Sequence, residues 1–190
     1  MEEQTLVIFD FDDTLVFSGA VVYVTHDDGT TESLESHEFA TYVNKPGDQF
    51  DFSEFDVYPP DGRLIHKTFD ALLAAVKSYG PNNVAVLSAR GEERPMREFL
   101  KNSGFSTRID IVGVASSDPA QKASYVDKRL ATGSYIQVVI YEDSLTNIRA
   151  VGNMLTEKYP DVDYVSHHVQ AESLLRKTVY NLLKEFFFHN

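Results

Sequence analysis

Near the start of the chain an apolar run stops abruptly in three carboxylates: Thr5 to Leu15 read Thr-Leu-Val-Ile-Phe-Asp-Phe-Asp-Asp-Thr-Leu. A continuous apolar stretch such as Leu6 to Phe9 suits a strand buried on both faces. Acids at its carboxyl end then stand at the rim of a parallel sheet, where open α/β folds bind their ligands. Asp10 and Asp12 are separated by one residue. An extended backbone points side chains at that spacing the same way, so the two carboxylates can share one small site and, with it, a divalent cation. Asp12, Asp13 and Thr14 are also residue types that form turns and caps, which is the structural alternative for this stretch taken alone.

Further polar groups fall at similar places. Ser88 ends an apolar strand from Asn83 to Leu87, and Glu142 with Asp143 ends another from Tyr135 to Tyr141. Lys122 lies in the first turn of a helix that opens with Asp118 as N-cap, Pro119 at the first position and Gln121 where a capping box would place it. The positive end of a helix dipole disfavours a cation there. Lys122 therefore breaks a local rule, in a way that a phosphate at the sheet rim would compensate. Ser88 and Asp143 could each cap a helix, and surface lysines are common; it is the coincidence of such groups at four strand ends that points to a site. The chain has no cysteine, so any metal must be held through oxygen or histidine. Arg90, two residues after Ser88, could reach a substrate anion or serve at the surface or a helix start. His167 and His168 follow a strand at a spacing a metal could use, with nothing else in the chain to support it.

The elements that must position these groups alternate. After the first strand, helical periodicity runs from Lys67 with Phe69, Leu72, Leu73 and Val76 on one stripe, and Gly80-Pro81 ends it. A helix beginning near Pro95 carries Met96, Phe99 and Leu100 inward and stops at Gly104, and a strand from Ile109 to Val114 comes next. The helix from Pro119 runs to about Leu130. A further helix buries Leu145, Ile148, Val151 and Leu155, a short strand spans Asp163 to Ser166, and a last helix carries Leu175, Val179, Leu182 and Phe186 on one face. Strands alternating with helices in this way predict an α/β domain with a parallel sheet covered on both faces. The 190 residues suit one such domain. Residues 17–65 depart from the pattern: Val22 and Val24 run into Asp28-Gly29, a hairpin signal, and Pro46-Gly47 and Pro59-Pro60-Asp61-Gly62 punctuate the remainder of the segment. This reads as an inserted flap or minimal cap, with Phe50, Phe52 and Phe55 expected to anchor it to the core.

Taken together, the motifs resemble those of the haloacid dehalogenase superfamily. Its first motif, Asp-x-Asp-x-Thr after a buried strand, is matched by Asp10 to Thr14; its second, a Ser or Thr closing a strand, by Ser88; its third, a lysine near a helix start, by Lys122; and its fourth, an acidic strand-end pair, by Glu142 and Asp143. The stretch from Glu142 to Ile148 is similar to the fourth motif of the β-phosphoglucomutase branch, with Asn147 where a glycine is usual. The resemblance implies a Rossmann-like three-layer sandwich and a Mg²⁺-dependent phosphomonoester hydrolase. Asp10 would be the nucleophile that forms an aspartyl phosphate, and Asp12 would protonate the leaving oxygen and then activate water. Ser88 and Lys122 would contact the phosphoryl group. Mg²⁺ would be held by Asp10, the backbone carbonyl of Asp12 and Asp143, with Glu142 assisting. Alternatives are a phosphomutase, a polynucleotide-end phosphatase and a non-catalytic binding protein of the same fold.

Composition narrows the substrate. The net charge is −12, and from His26 to Asp56 nine acidic residues stand against Lys45 alone, leaving −8 in that segment. Such a surface repels polyanions, so nucleic acid is disfavoured and a small phosphorylated metabolite or mononucleotide is favoured. No apolar run reaches membrane-spanning length and the first residues lack a basic, signal-like segment, which leads us to expect a cytoplasmic protein without a membrane partner.

Overall fold

The computed structural model describes residues 4–39 and 42–170. In chain order, β1 (Gln4–Phe9) leads through a tight turn into β2 (Val16–Phe17). An inserted unit comes next, formed by β3 (Val21–Thr25), β4 (Thr31–Glu35), α1 (Ser36–Phe39) and β5 (Gln49–Asp51). β6 (Arg63–Leu64) returns to pair antiparallel with β2 and closes the insertion at its base. The chain then alternates: α2 (His66–Tyr79), β7 (Val84–Ser88), α3 (Glu93–Asn102), β8 (Asp110–Gly113), α4 (Pro119–Thr132), β9 (Tyr135–Glu142), α5 (Leu145–Lys158) and β10 (Asp163–His168).

β1, β7, β8, β9 and β10 form a five-stranded sheet in the order β10-β9-β1-β7-β8, each adjacent pair parallel. Side-chain alternation sorts β1 between two cores. Val7 and Phe9 pack with Phe69 and Leu72 of α2 and Met96, Phe99 and Leu100 of α3. Leu6 and Ile8 face the other way and pack with Ala123, Val126 and Leu130 of α4 and Val151 and Leu155 of α5. A strand buried on both sides must be apolar throughout, which is why Leu6 to Phe9 carries no polar residue. The result is the three-layer α/β architecture expected from the alternating pattern.

Several expectations need correction. Leu73 is 44% exposed, because α2 meets the sheet along Phe69, Leu72 and Ala75, and the next residue after Leu72 is turned about 100° away. Leu145 is 46% exposed at the first position of α5, beyond the sheet rim, and only Val151 and Leu155 of the four named residues are fully buried. α3 starts at Glu93, near Pro95 as expected, and proline sits inside its first turn, where its missing N–H has no partner to lose. The helix expected around Leu175 to Phe186 lies outside the described residues.

The insertion has its own organisation. β3 is flanked by β4 and β5 in an antiparallel sheet, and the hairpin turns at Gly29, whose φ of +81° suits a residue without Cβ. Phe50 and Phe52 pack against Phe39 and each other, with centroids 5.3–6.3 Å apart, rather than against the main core. A three-stranded sheet needs an apolar face of its own, and these rings supply it. The insertion meets the domain farther along, where Tyr58 lies 5.7 Å from the ring of Phe99.

Candidate active site

The sheet order changes direction at β1: from there the chain builds outward through β7 and β8, then crosses to β9 and β10 on the other side. In open α/β sheets the crevice beyond the strand ends at such a reversal is where ligands bind. Asp10 comes immediately after β1, and its amide donates to the Tyr141 carbonyl at 2.9 Å, so the ends of β1 and β9 are tied together at the level of the carboxylates. Glu142 ends β9 and Asp143 comes next.

Asp10 has the parity of Leu6 and Ile8, which places it toward α4. There Lys122 Nζ donates to Asp10 Oδ1 at 2.6 Å and to Glu142 Oε2 at 2.8 Å, with all three residues at 5% exposure or less. The cation that seemed misplaced in the first turn of α4 is thus matched by two carboxylates. Asp118 caps that helix, its Oδ1 accepting from the Ala120 amide at 2.9 Å. The other oxygen of Glu142 accepts from the Ser144 amide at 3.2 Å and from Asn147 Nδ2 at 3.1 Å. Asn147, the departure from the usual glycine, therefore holds Glu142 in place.

Two carboxylates bind this ammonium, and a third stands beside them. Oxygens of Asp10, Glu142 and Asp143 all lie within 4.8 Å of one another. Burial pushes the Asp10 carboxyl up, against the pull of Lys122 and with the push of Glu142 and Asp12. Asp143 is likewise pushed up by burial, then by the charges of Asp10, Glu142 and Asp13. Burial also works against the Lys122 ammonium, yet Asp10 and Glu142 outweigh it and hold its proton above the ordinary lysine range. A partly desolvated cluster with more negative than positive groups is the donor set that a hard divalent cation fits.

Asp12 behaves differently from the expectation that it shares one site with Asp10. The strand ends at Phe9, and Asp13 takes a left-handed φ of +56° in the turn beyond it. The Asp12 carboxylate is bound by Arg90, Nε to Oδ2 at 2.8 Å and Nη2 to Oδ1 at 2.7 Å, and by Ser18 Oγ at 2.6 Å from Oδ1. Its side chain stands outside the carboxylate cluster, which leaves its backbone carbonyl as the group the metal assignment needs. Arg90 is 1% exposed, and α3 opens at Glu93 with Glu92 at its N-cap, so neither the surface role nor the helix-start role holds. No pattern in the sequence announces a partner 78 positions away.

Ser88 ends β7 beside β1, and its Oγ accepts from the Arg90 amide at 3.2 Å, which leaves the hydroxyl hydrogen free to donate. Thr14 is fully buried with its Oγ1 unpaired among the described residues. The two histidines stay outside the cluster: His167 stacks on Tyr141 at 4.3 Å, and His168 Nε2 lies 2.9 Å from the Asp143 carbonyl oxygen. An open groove lined by α2, Val139, Tyr141 and Val165 is on the opposite sheet face from Asp10 and holds none of the carboxylates.

No protein-family profile matches the sequence, and no curated protein matches it. Among solved structures, the chain is similar to the Legionella pneumophila effector Ceg4, with a TM-score of 0.54 over 98% of this chain and 96% of that one, at 13% identity. At that identity the likeness shows a shared fold and nothing further. No helix among the described residues is long and apolar enough to cross a membrane.

Proposed function

We propose that this protein is a divalent-cation-dependent phosphomonoester hydrolase of the haloacid dehalogenase type, in which Asp10 is the nucleophile. The observation that carries the reading is the buried arrangement of Lys122 between Asp10 and Glu142, with Asp143 alongside, at the sheet's switch point. A carboxylate attacking a phosphate monoester must approach another anion, so charge neutralisation around Asp10 is the central requirement. Lys122, touching Asp10 already, is placed to accompany its oxygens as they bond to phosphorus. Ser88 offers its hydroxyl hydrogen to a phosphoryl oxygen.

Asp10 attacks phosphorus in line as the ester P–O bond breaks, and the leaving oxygen takes a proton from Asp12, which enters the step as the neutral acid. Asp12 then removes a proton from the water that attacks the phosphorus of the aspartyl phosphate. Inorganic phosphate leaves and the Asp10 carboxylate is restored. Asp10, Asp143 and the backbone carbonyl of Asp12, supported by Glu142, would hold the cation. Mg²⁺ in that place supplies neutralisation of the phosphoryl oxygens. Glu142, with both oxygens engaged by Lys122, Ser144 and Asn147, chiefly fixes the cluster.

Small phosphorylated metabolites or mononucleotides are the favoured substrates. Several of the insertion's acids stabilise its own structure: Asp28 accepts from Thr30 and Asp51 from Ser53 within turns, and Glu54 accepts from Val21 and Tyr23 of β3. Their charge remains and repels long polyanions. The test is phosphate release from a panel of phosphomonoesters with Mg²⁺ present, in wild type and Asp10→Asn. We expect turnover by the wild type and less than about a tenth of it in the variant, since Asn keeps the volume but removes the nucleophile. Full activity in excess chelator, or in Asp10→Asn, would overturn the reading.

A further inference from the structure

Arg90 has no part in the chemistry proposed for Asp10 and Asp12, yet among the described residues it is the bulkiest of the fully buried side chains. A buried guanidinium is costly unless its donors are matched, and here they are. Nε and Nη2 form a two-pronged pair with Asp12 at 2.8 and 2.7 Å, while Nη1 donates to the carbonyls of Phe55 at 2.5 Å and Val57 at 3.2 Å. The guanidinium carbon lies 5.2 Å from the ring of Phe11 and 5.4 Å from that of Phe55. One side chain therefore joins Asp12, just past β1, to the closing limb of the insertion.

The two oxygens of Asp12 are unequally occupied. A carboxylate offers about four acceptor sites, two on each oxygen. Among the described residues, Oδ1 receives Arg90 Nη2 and Ser18 Oγ, whereas Oδ2 receives only Arg90 Nε. The open site is on Oδ2.

We propose that Arg90 is a positioning residue. With Ser18, it orients Asp12 so that Oδ2 is the atom that gives its proton to the leaving oxygen and later takes one from water, and it ties that orientation to residues 55–57 of the insertion. The catalytic half of this proposal rests on the hydrolase reading; the tie to the insertion does not.

Arg90→Lys keeps the charge but cannot span two carboxylate oxygens and two carbonyls at once. In this variant kcat should fall about tenfold or more with KM within about threefold, and Arg90→Lys combined with Asp12→Asn should be no slower than Asp12→Asn alone. Hydrogen exchange in residues 53–58 should accelerate in both Arg90→Lys and Asp12→Ala. Ser18→Ala opens a site on Oδ1 and keeps the clamp, so it should lower kcat and leave that exchange unchanged. A rise in KM at constant kcat would make Arg90 a substrate contact, and a further loss in the double variant would give it a role independent of Asp12; either overturns the proposal. If Arg90→Lys does not fold, Ser18→Ala and Asp12→Ala decide: wild-type kcat in the first, or wild-type exchange in the second, overturns it. If the wild type releases no phosphate from any ester, the hydrolase reading fails on its own, and accelerated exchange in the variants still upholds the clamp.

Discussion

At the scale of single residues, the site is governed by how many charges share a dry space. Among the described residues Lys122 is the one ammonium bound to Asp10 and Glu142, so its removal leaves buried carboxylates without their partner. Lys122→Met should lower the unfolding free energy by about 3–5 kcal/mol, the usual cost of breaking a buried ion pair from one side. Urea unfolding at neutral pH measures this, and a change below about 1 kcal/mol would mean that the carboxylates find another counter-charge. The two acids at the end of β9 should separate in a metal titration. Glu142 has both oxygens committed to Lys122, Ser144 and Asn147, whereas Asp143 lies at the cluster's more open side. Asp143→Ala should therefore raise the Mg²⁺ concentration needed for half-maximal activity more than Glu142→Ala does, and the reverse order would exchange their roles.

At the scale of elements, the insertion carries a pH-dependent fastening of its own. His26 Nδ1 lies 2.8 Å from Asp48 Oδ1, and its Nε2 lies 3.0 Å from Glu32 Oε1. With a carboxylate on each ring nitrogen, both nitrogens must donate, which requires the imidazolium. The hydrogen bond His26 donates to Asp48 raises the His26 pKa above its ordinary 6.5, although burial and Lys45 oppose it. Burial likewise opposes ionisation of Asp48, but bonds from His26, the Lys45 amide and Tyr42 hold its carboxyl down at about 2. The folded insertion thus binds the His26 proton more tightly than the unfolded chain does. The stabilisation is complete below about pH 6.5 and is lost as pH climbs through the raised value. Asp48 works in the opposite sense, contributing above its ordinary value and failing only in strong acid. Hydrogen exchange in residues 21–35, followed from about pH 6 to 9, should accelerate toward the alkaline end beyond the intrinsic rate. His26→Gln should remove that excess; an excess that persists in this variant would assign it to another group.

At the scale of the molecule, the net charge of −12 and the −8 carried by residues 26–56 set the terms for large substrates. A long polyanion is repelled along its length, whereas a small monoester meets the repulsion once. The informative comparison is kcat/KM for a mononucleotide against a 5′-phosphorylated oligonucleotide at two salt concentrations. We expect the mononucleotide to be the better substrate, with its advantage shrinking as salt screens the field. A better oligonucleotide at low salt would mean that the insertion's acids face away from the approach to Asp10.

The sequence by itself determined the layers and the identity of the groups at the sheet rim. Leu6 to Phe9 suited a doubly buried strand, helical and extended periods alternated after Lys67, and strand ends showed themselves where apolar runs stopped at Asp10, Ser88 and Glu142. Those signals are local: each depends on residues a few positions apart. The tertiary structure alone decided which polar groups meet. Pairing β1 with β9 brought Asp10 beside Glu142, and packing α4 on the Leu6 and Ile8 face set Lys122 against both. The end of β1 at Phe9 sent the Asp12 carboxylate to Arg90, where an ideal strand would have aligned it with Asp10. Ser18 looked ordinary in the chain, and Arg90 and Asn147, though singled out there, had no partner that could be read, because a hydrogen bond requires a partner at a definite distance and angle, and only the packed sheet and insertion set those.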